Sequence, residues 1–325
     1  MADVLRGDAT PAQLAGFVVA LRIKGETVDE LSGLLEAMLA MAERVHLPDD
    51  VAERAVDIVG TGGDRSHSIN VSTLAMVVAA GAGLTICKHG NRAASSSCGA
   101  ADLLGELGVA VELGPAGVTR CVTDAGFGFC FAPRFHPALR HAGPTRRELG
   151  IPTAFNILGP MANPARVTRQ VIGVADARMA DRMLGVLRAH GARHILVVHG
   201  GDGLDELTTT GPSSVWELRD GEVRSYELDP AAFGIERAAA DDLRGGPPAR
   251  NAELARAVLA GEPGARRDIV VLNAAAGLYV GGLVESIEAG LPVAAAAIDD
   301  GRAVAALERL VVTSQAAAAA ASAAG

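Results

Sequence analysis

Apolar residues in the first part of the chain recur with helical spacing. Two stripes advance by three and four residues, Leu14-Phe17-Val18-Leu21 and Leu31-Leu34-Leu35-Met38. Each stripe follows a capping-box pair that begins a helix, Thr10 with Gln13 and Thr27 with Glu30. The pattern predicts two amphipathic helices within residues 1–50. Because a helical pair this short cannot bury both stripes by itself, we expect it to pack on another part of the chain.

From residue 54 the pattern changes to short β-branched runs that alternate with helical stretches. They predict strands at 55–59, 84–87, 109–112, 127–131, 169–174 and 194–199, with helices at 71–80, 100–107, 115–125 and 178–190. This alternation indicates the α/β class, with a mostly parallel central sheet covered by helices on both faces. Asp220-Gly221 between alternating runs predicts an antiparallel hairpin over 214–228. Helices dominate 251–312, and we expect the alanine-rich tail 316–325 to fray.

Composition and charge narrow the class of protein. Hydrophobic residues make up 49% of the 325 residues and charged residues 21%, which suits a folded chain with a sizeable core. The formal net charge is −9 and no basic run reaches five residues, which argues against nucleic acid as the main partner. The four cysteines form no CxxC pair and indicate reduced cytosolic thiols. The longest apolar run, Leu74–Cys87, is too short for a membrane span, so we expect a cytoplasmic protein.

The first candidate site is a glycine-rich turn that follows the strand predicted at 55–59. It reads Gly60-Thr61-Gly62-Gly63-Asp64, and its glycines let backbone N–H groups approach an anion. Arg65 stands where a dinucleotide fingerprint would have its third glycine, and no GK[ST] of a Walker A loop follows. The turn therefore predicts an anion site of another kind, with an ordinary strand–helix turn as the alternative.

Polar residues recur at the next helix start and at the next strand end. Asn70, Ser72 and Thr73 are expected to cap a helix whose N–H groups face a phosphate. The following strand leads into Lys88-His89-Gly90-Asn91-Arg92-Ala93-Ala94-Ser95-Ser96. Ligands of doubly wound sheets bind beyond the carboxyl ends of strands, where Lys88 and Arg92 would supply positive charge. A solvated basic turn is the alternative.

A third strand end carries clustered carboxylates in the run His199–Glu206. Adjacent Asp205 and Glu206 suit Mg²⁺, which binds through a few carboxylates together with substrate phosphates and water. A solvated acidic turn is the alternative. The sequence holds no G-x-S-x-G and no H-E-x-x-H motif. His89 is the histidine that lies in a ligand-like loop, whereas His136, His141, His190 and His194 are expected to pack or to face solvent.

Together these segments resemble the anthranilate phosphoribosyltransferase family. The resemblance rests on GTGGD at 60–64, NVST at 70–73, KHGNRAASS at 88–96, FAPRFHP at 131–137, RRELG at 146–150, FNILGPMANPA at 155–165 and HGGDGLDE at 199–206. Seven motifs agree in order and spacing, over about residues 5–315. The resemblance implies a small helical domain, 1–50 with a returning segment around 136–168, and an α/β domain, 52–135 with 169–315. It also implies a homodimer that associates through the helical domains.

The same resemblance implies the substrates, phosphoribosyl pyrophosphate (PRPP) and anthranilate, and the residues that bind them. The PRPP set is Gly60, Gly63, Asp64, Ser68, Asn70, Val71, Ser72, Thr73, Lys88, His89, Gly90, Asn91, Arg92, Ala93, Ala94, Ser95, Ser96 and Ala100. The anthranilate set is Gly60, Asn91 and Arg146, with His89 beside it. Ser72, Asp205 and Glu206 would hold Mg²⁺, as a pair of ions with substrate bound. Ala100 stands where many members have a serine, and Arg65 replaces a common glycine.

The chemistry that this implies needs little from acid–base residues. The aromatic amine of anthranilate is uncharged near neutral pH, so positioning and electrostatics dominate, with Lys88, His89 and Arg146 as supports. Two rivals remain. A pyrimidine nucleoside phosphorylase would have Lys-His-Ser-Thr before its glycines, where this chain has Asp57-Ile58-Val59-Gly60. A non-catalytic nucleic-acid-binding relative should be basic and should lack the pair Asp205-Glu206.

Overall fold

The protein, described from a computed structural model over residues 1–93 and 96–324, has a seven-stranded sheet at its centre. The strands are β1 Val56–Gly60, β2 Ile86–Gly90, β3 Phe127–Phe131, β4 Arg169–Gly173, β5 His194–Gly200, β6 Ser213–Arg219 and β7 Glu222–Leu228. The helices before the fourth strand are α1 Ala2–Arg6, α2 Pro11–Lys24, α3 Val28–Ala40, α4 Asp49–Arg54, α5 Val71–Gly81, α6 Ala100–Glu106, α7 Pro115–Arg120, α8 Ala132–Phe135, α9 Gly143–Leu149 and α10 Ala154–Met161. Those after it are α11 Ala180–Ala189, α12 Pro248–Leu259, α13 Ala265–Val280, α14 Ile287–Asp299 and α15 Arg302–Ala324.

The strand order is β3-β2-β1-β4-β5-β6-β7. Neighbours from β3 to β5 pair in parallel, and β6 and β7 add an antiparallel hairpin. This confirms the α/β class and the mostly parallel sheet. The hairpin over 214–228 is also confirmed. Its turn residues Asp220 and Gly221 have φ values of 50° and 88°, the left-handed pair that a two-residue hairpin turn needs.

Both faces of the sheet are buried along the parallel strands β1 to β5, which explains why these strands are mostly apolar, whereas β7 at the edge is largely exposed. On one face, Val56 and Ile58 of β1 join a core built mainly with α5, α13, α14 and α15. On the other face, Val59 joins a second core with α3, α10 and α11. Helices therefore cover the sheet on both sides, as the sequence predicts.

The strand predicted at 109–112 is wrong. Val109 and Val111 are buried in the main core, but neither of them pairs with a neighbouring strand in the part of the chain that the structure describes. Instead the N–H of Ala110 donates to Ser314 Oγ of α15 at 3.0 Å. A short buried apolar run has the same hydrophobic pattern in two situations: when its backbone N–H groups donate to a neighbouring strand, and when they donate to a side chain of a helix.

The two N-terminal capping boxes are confirmed. The N–H of Gln13 donates to Thr10 Oγ1 at 3.3 Å, and the N–H of Glu30 donates to Thr27 Oγ1 at 3.2 Å. The additional short helix α1 precedes them. The buried stripe of α2 differs from the prediction in one residue, because Phe17 is 42% exposed.

The N-terminal helices pack against the segment between β3 and β4. A small cluster joins Val4, Leu14 and Val18 to Ala142 and Phe155, and α3 contacts α10. The same α3 also contacts α11 of the α/β part. We propose that α1–α3 and the segment around 136–168 form one small domain, as the sequence analysis expects.

The alanine-rich tail does not fray in the structure. Helix α15 continues to Ala324, with Ala317 buried and Gln315 Nε2 donating to the carbonyl of Gly108 at 2.9 Å. Alanine has the highest helix propensity, so an anchored helix extends easily through it. Among the described residues, one helical stretch, Arg302–Ala323, is long and apolar enough to cross a membrane. Core helices pass the same test, and α15 packs along α5 and α7.

Candidate active site at the carboxyl edge of the sheet

The strand order reverses between β1 and β4, and open α/β sheets bind ligands at such a point. Gly60 and Gly173 end these two strands and lie opposite each other in register. Asp205, which follows β5, crosses directly over both. A Cβ on Gly173 would lie 1.6 Å from the Asp205 carbonyl oxygen, and one on Gly60 would lie 2.3 Å from Asp205 Oδ2. Gly173 is therefore required by the close approach of the Asp205 backbone, whereas at Gly60 the nearest atom is the end of the Asp205 side chain.

The sequence analysis missed Gly173. Its signal is a glycine inside the strand predicted at 169–174. The role of this glycine can be inferred only when β4 is known to lie beside Gly60, because the local sequence does not determine the strand order.

Backbone N–H groups of two loops hold the carboxylate pair. The N–H of Gly62 donates to Asp205 Oδ2 at 2.7 Å, and the N–H of Ser72 donates to Glu206 Oε1 at 3.1 Å. Both carboxylates are about nine-tenths buried. The expectation that the α5 N–H groups face a phosphate thus needs a correction, since the N–H of Ser72 faces Glu206. The glycine turn and α5 meet at the acidic pair rather than at separate sites.

Burial dominates the electrostatics of this pair. It raises the pKa of the Glu206 carboxyl to about 7, although the Lys88 ammonium opposes the shift. Burial, with repulsion from Glu206 and Asp64, also raises the pKa of Asp205 well above its ordinary value. Burial lowers the pKa of Lys88, against the attraction of nearby carboxylates. Lys88 Nζ donates to the carbonyl of Ile58 at 2.6 Å. The crevice therefore has more buried acidic groups than cationic ones.

The donor set fits a magnesium ion that shares its coordination with a substrate. Each carboxylate uses one oxygen for a backbone N–H, which leaves its second oxygen for a cation. Within the described chain, no three His, Cys, Asp or Glu side chains are grouped so that they alone could hold a metal. Mg²⁺ commonly binds through one or two carboxylates and takes its other ligands from phosphates and water.

The side chains of 70–73 do not act as the sequence predicts. Asn70 precedes α5 without capping it, because its Nδ2 donates to the Cys98 carbonyl at 2.9 Å and its Oδ1 accepts from Asn251 at 2.8 Å. Val71 and Thr73 are buried, while Ser72 is half-buried. Of the three polar side chains, Ser72 is thus the one placed to reach a ligand.

Strand β2 runs to Gly90, so Lys88, His89 and Gly90 are strand residues and not loop residues. The N–H of His89 donates to Asp57 Oδ2 at 3.2 Å. Burial lowers the pKa of His89 to about 3, so the ring is neutral. Its centroid lies 5.2 Å from that of His136. His136, expected to be a packing or surface residue, is a buried neighbour of the site.

The rest of this second loop is more open. Asn91, Arg92, Ala93 and Ser96 are exposed, Ala100 begins α6, and Ala94 and Ser95 lie outside the described residues. The Arg92 guanidinium pairs with Asp102 at 3.1 Å and Glu112 at 3.2 Å, and lies 5.3 Å from the Phe131 ring centre. Arg92 therefore anchors the loop. The sequence predicts that its positive charge attracts an anion, but in the structure that charge is paired with two carboxylates.

The glycine turn continues into a strained segment. Arg65 and His67 have φ values of 60° and 54°, in the left-handed region that favours glycine. A glycine, which the resemblance described above implies at position 65, would adopt this φ without strain. The Oδ1 of Asp64 accepts the N–H of Ser66 at 3.3 Å, and Ser68 pairs with Arg244 in an isolated antiparallel bridge. Gly63, Asp64 and Ser68 thus line the outer part of the turn.

Arg146 lies on α9, in the helical part of the molecule. Its Cζ is 5.0 Å from the centre of the Phe155 ring, and burial lowers the pKa of its guanidinium. Its side chain donates no hydrogen bond to any residue within 1–93 or 96–324. Its donors are therefore available for a ligand, although no direct contact joins it to the carboxylate pair.

Asn163, in the segment FNILGPMANPA, has a structural role that the sequence analysis did not assign. Its Nδ2 donates to Asp57 Oδ2 at 2.9 Å and to the Cys87 carbonyl at 2.8 Å. Burial raises the pKa of Asp57 to about 6. The contact ties the helical segment to β1 and β2 directly beneath the glycine turn.

Comparison with known proteins places the chain in a family. Residues 52–304 match the model of the glycosyl transferase family a/b domain, and residues 1–42 match that of its helical bundle domain. The chain is 54% identical over 316 residues to the anthranilate phosphoribosyltransferase of Salinispora arenicola (strain CNS-205), covering 96% of this chain and 89% of that relative. It is 53% identical over 317 residues to that of Arthrobacter sp. (strain FB24), with the same coverage.

Solved structures agree. The anthranilate phosphoribosyltransferase from Thermus thermophilus superposes with a TM-score of 0.91 at 42% identity, covering 97% of this chain and 93% of that one. The enzyme from Saccharomyces cerevisiae in complex with PRPP and Mg gives a TM-score of 0.87 at 30% identity, covering 94% and 86%. On these similarities the expected activity is confirmed at the level of the family, and the chain belongs to the anthranilate phosphoribosyltransferases.

Proposed function

We propose that the carboxyl edge of the sheet transfers the 5-phosphoribosyl group of PRPP to the amino nitrogen of anthranilate. The products are N-(5-phosphoribosyl)anthranilate and pyrophosphate. The observation that carries the proposal is the buried pair Asp205-Glu206, held by N–H groups of the glycine turn and of α5 at the switch point. The yeast relative was solved with PRPP and Mg, and also with 4-fluoroanthranilate.

The reaction needs charge stabilisation more than proton transfer. As the bond from ribose C1 to pyrophosphate breaks, C1 becomes cation-like, and the lone pair of the amine nitrogen forms the new C–N bond. The nitrogen then loses a proton to water or pyrophosphate. The anthranilate amine is uncharged near neutral pH, so no strong base is required. The chain's own part is to orient the two substrates and to exclude water from a low-dielectric crevice.

We propose that Ser72, Asp205 and Glu206 hold Mg²⁺, as a pair of ions when PRPP is bound. The metal would stabilise the charge that develops on the departing pyrophosphate. Burial raises the pKa of both carboxyl groups of the pair, and a divalent cation would favour their charged forms. The shared coordination with phosphate follows from the small number of protein ligands.

For anthranilate we propose Asn91, Gly60 and Arg146, with His89 as support. The guanidinium of Arg146 can bind a carboxylate through two parallel hydrogen bonds. His89 Nε2 is buried with no hydrogen-bond partner among the residues that the structure describes, which leaves it for a substrate group. Its neutral ring adds no charge that would compete with Arg146.

Arg146→Ala should raise the KM for anthranilate about 10- to 100-fold and change the KM for PRPP less than about twofold. The loss corresponds to a charge-assisted hydrogen-bond pair of roughly 1.5–3 kcal/mol. Steady-state kinetics with each substrate varied in turn measures the two constants. Arg147→Ala is the matched control, since Arg147 is exposed on the same helix. Equal losses for both substrates would contradict the role given to Arg146.

We also propose that the protein is a homodimer that associates through α2. The outward face of this helix exposes Gly16, Phe17, Ala20 and Ile23, with Phe17 42% and Ile23 81% exposed. Apolar faces of this kind commonly mark association surfaces, and small residues let a partner helix approach closely.

Sedimentation equilibrium should give a dimer for the wild-type chain and a monomer for the double variant Phe17→Asp, Ile23→Asp. Two charges placed on the contact face would be buried without partners in the dimer. Val223→Asp, at an exposed apolar residue of β7, should remain dimeric. A monomeric wild-type chain, or a double variant that still sediments as a dimer, would exclude this interface.

A cytoplasmic location completes the proposal. All four cysteines are free and buried. Reduced thiols persist in the cytoplasm, where both substrates of the reaction are expected. Cell fractionation tests this, and recovery of the active chain from the membrane pellet or the medium would contradict it.

A further inference from the structure

Two asparagine side chains connect three segments around the PRPP loops. Asn251, near the start of α12, is 3% exposed and lies outside all the motifs of the sequence analysis. Its Oδ1 accepts the N–H of Gly246 at 2.7 Å, and its Nδ2 donates to Asn70 Oδ1 at 2.8 Å. Asn70 Nδ2 then donates to the carbonyl of Cys98 at 2.9 Å. The chain of bonds runs from α12 through the start of α5 to the end of the second loop.

The two ends of this series of hydrogen bonds fix the orientation of the Asn251 and Asn70 amides. A backbone N–H at Gly246 can only donate, and the carbonyl at Cys98 can only accept. Reversing either amide would place two donors or two acceptors against each other. The link between Asn251 and Asn70 is therefore specific, and it depends on an oxygen at one end of the Asn251 amide and a nitrogen at the other.

The segment before α12 supports the glycine turn from the same side. The N–H of Gly245 donates to the His67 carbonyl at 2.8 Å, and the N–H of Ile69 donates to the Leu243 carbonyl at 2.9 Å. A Cβ on Gly245 would lie 2.8 Å from the Ser68 carbonyl oxygen and 2.6 Å from Asn251 Oδ1. Asn251 thus packs against the strip of backbone that pairs with residues 67–69.

The elements joined in this way are loops of the substrate site. Asn70 lies two residues before Ser72, whose N–H holds Glu206. Cys98 closes the loop that begins after β2; burial raises the pKa of its thiol to about 11, and a contact with Asn251 opposes that shift. A change in Asn251 should therefore alter the spacing between the two PRPP loops, while β1, β2 and Arg146 on α9 keep their own contacts.

We propose that Asn251 is a positioning residue for PRPP. Through Asn70, it sets the distance between the glycine turn that follows β1 and the loop that follows β2. The inference rests on the proposed function of this site. Asn251 does not touch the reacting atoms. Its removal weakens the binding of PRPP more than that of anthranilate, because Arg146 on α9 keeps its place for the anthranilate carboxylate.

The test uses two variants of the full-length chain. Asn251→Ser is too short to reach Asn70, and Asn251→Asp keeps an acceptor for Gly246 but loses the donor to Asn70. Both should raise the KM for PRPP about 10-fold, the effect of one or two hydrogen bonds, with the KM for anthranilate within about twofold of wild type. The Kd for PRPP with Mg²⁺, from calorimetry without anthranilate, should rise by the same factor. Glu253→Ala, exposed on α12, is the control.

A residue that only stabilised the fold would behave differently. Its variants would lower the melting temperature and the active fraction but leave both KM values unchanged, and that result would overturn the proposal. If one of the two Asn251 variants is insoluble, the KM and Kd values of the other variant test the proposal. The calorimetric Kd is measured without turnover, so it still tests Asn251 if the wild-type chain fails to transfer phosphoribosyl groups, a failure that would instead overturn the proposed function.

Discussion

Replacement of Glu206 by glutamine should lower kcat/KM for PRPP about 100- to 1,000-fold without lowering the stability of the fold. The expected loss corresponds to roughly 3–4 kcal/mol of electrostatic stabilisation at the departing pyrophosphate. Asp205→Asn should act in the same direction. Both variants should need more Mg²⁺ for half-maximal activity than the wild-type chain does.

The expectation that Glu206→Gln does not lower the stability of the fold follows from the burial of Glu206. Glu206 is buried beside Asp205, and burial raises the pKa of both carboxyl groups. A buried charge costs several kcal/mol unless it is compensated, and here Lys88 opposes only part of the shift. Glutamine keeps an oxygen that can accept the Ser72 N–H but carries no charge. The buried carboxyl groups thus lower the free energy of unfolding while they provide the metal site, a trade-off that is common at functional sites.

Two measurements separate the effects. Thermal unfolding in metal-free buffer should give a melting temperature for Glu206→Gln equal to or above that of wild type. Calorimetric titration of Mg²⁺ in the presence of PRPP should show a pair of sites in wild type and fewer, or weaker, in the variant. Glu227→Gln, at an exposed residue of β7, is the control. An unchanged metal requirement would contradict the assignment of Glu206.

Gly173→Ala should lower kcat/KM at least about 100-fold and destabilise the fold by about 1–3 kcal/mol, the usual cost of overpacking. A Cβ at this position would lie 1.6 Å from the carbonyl oxygen and 2.3 Å from the carbonyl carbon of Asp205. Both atoms are backbone, so they cannot turn aside as a side chain does. The segment that carries Asp205 and Glu206 must move as a whole, away from Gly62 and Ser72.

Two further glycine variants make this prediction specific. At Gly60 a Cβ would meet the flexible end of the Asp205 side chain, so Gly60→Ala should fold. Its main effect should be a higher Mg²⁺ concentration for half-maximal activity. Gly105 in α6 has no atom within 4 Å of an added Cβ, so Gly105→Ala should be neutral or slightly stabilising. Kinetics and thermal unfolding of the three variants give the comparison. A Gly173→Ala enzyme as active as wild type would show that Asp205 can move without loss.

The elements that local sequence determines were predicted correctly. The capping boxes at Thr10 and Thr27 and the turn at Asp220-Gly221 each depend on residues within a few positions of one another. The alternation of strands and helices likewise indicates a parallel sheet without any knowledge of long-range contacts. An anion site at the glycine turn can also be proposed from its own residues, and it stays a prediction.

The features that depend on strand order or on distant partners could not be predicted. The contact of Gly173 with Asp205 requires that β4 lie beside β1, and Asn70 has a partner 181 positions further along the chain. The run at 109–112 has a strand-like pattern, but the N–H of Ala110 donates to Ser314 of α15 and that of Val109 donates to the Leu104 carbonyl. Phe17 continues a helical stripe and yet faces outward, since the pattern of a single helix does not distinguish a core position from a surface position at the edge of the stripe.

Transfer of the phosphoribosyl group to anthranilate can be followed by the fluorescence of anthranilate mixed with the purified chain, PRPP and Mg²⁺. We expect a loss of anthranilate fluorescence that requires both PRPP and Mg²⁺, stops when a chelator is added, and is matched by equimolar release of pyrophosphate. Unchanged anthranilate fluorescence with a folded, dimeric protein and saturating PRPP would contradict the proposed transfer.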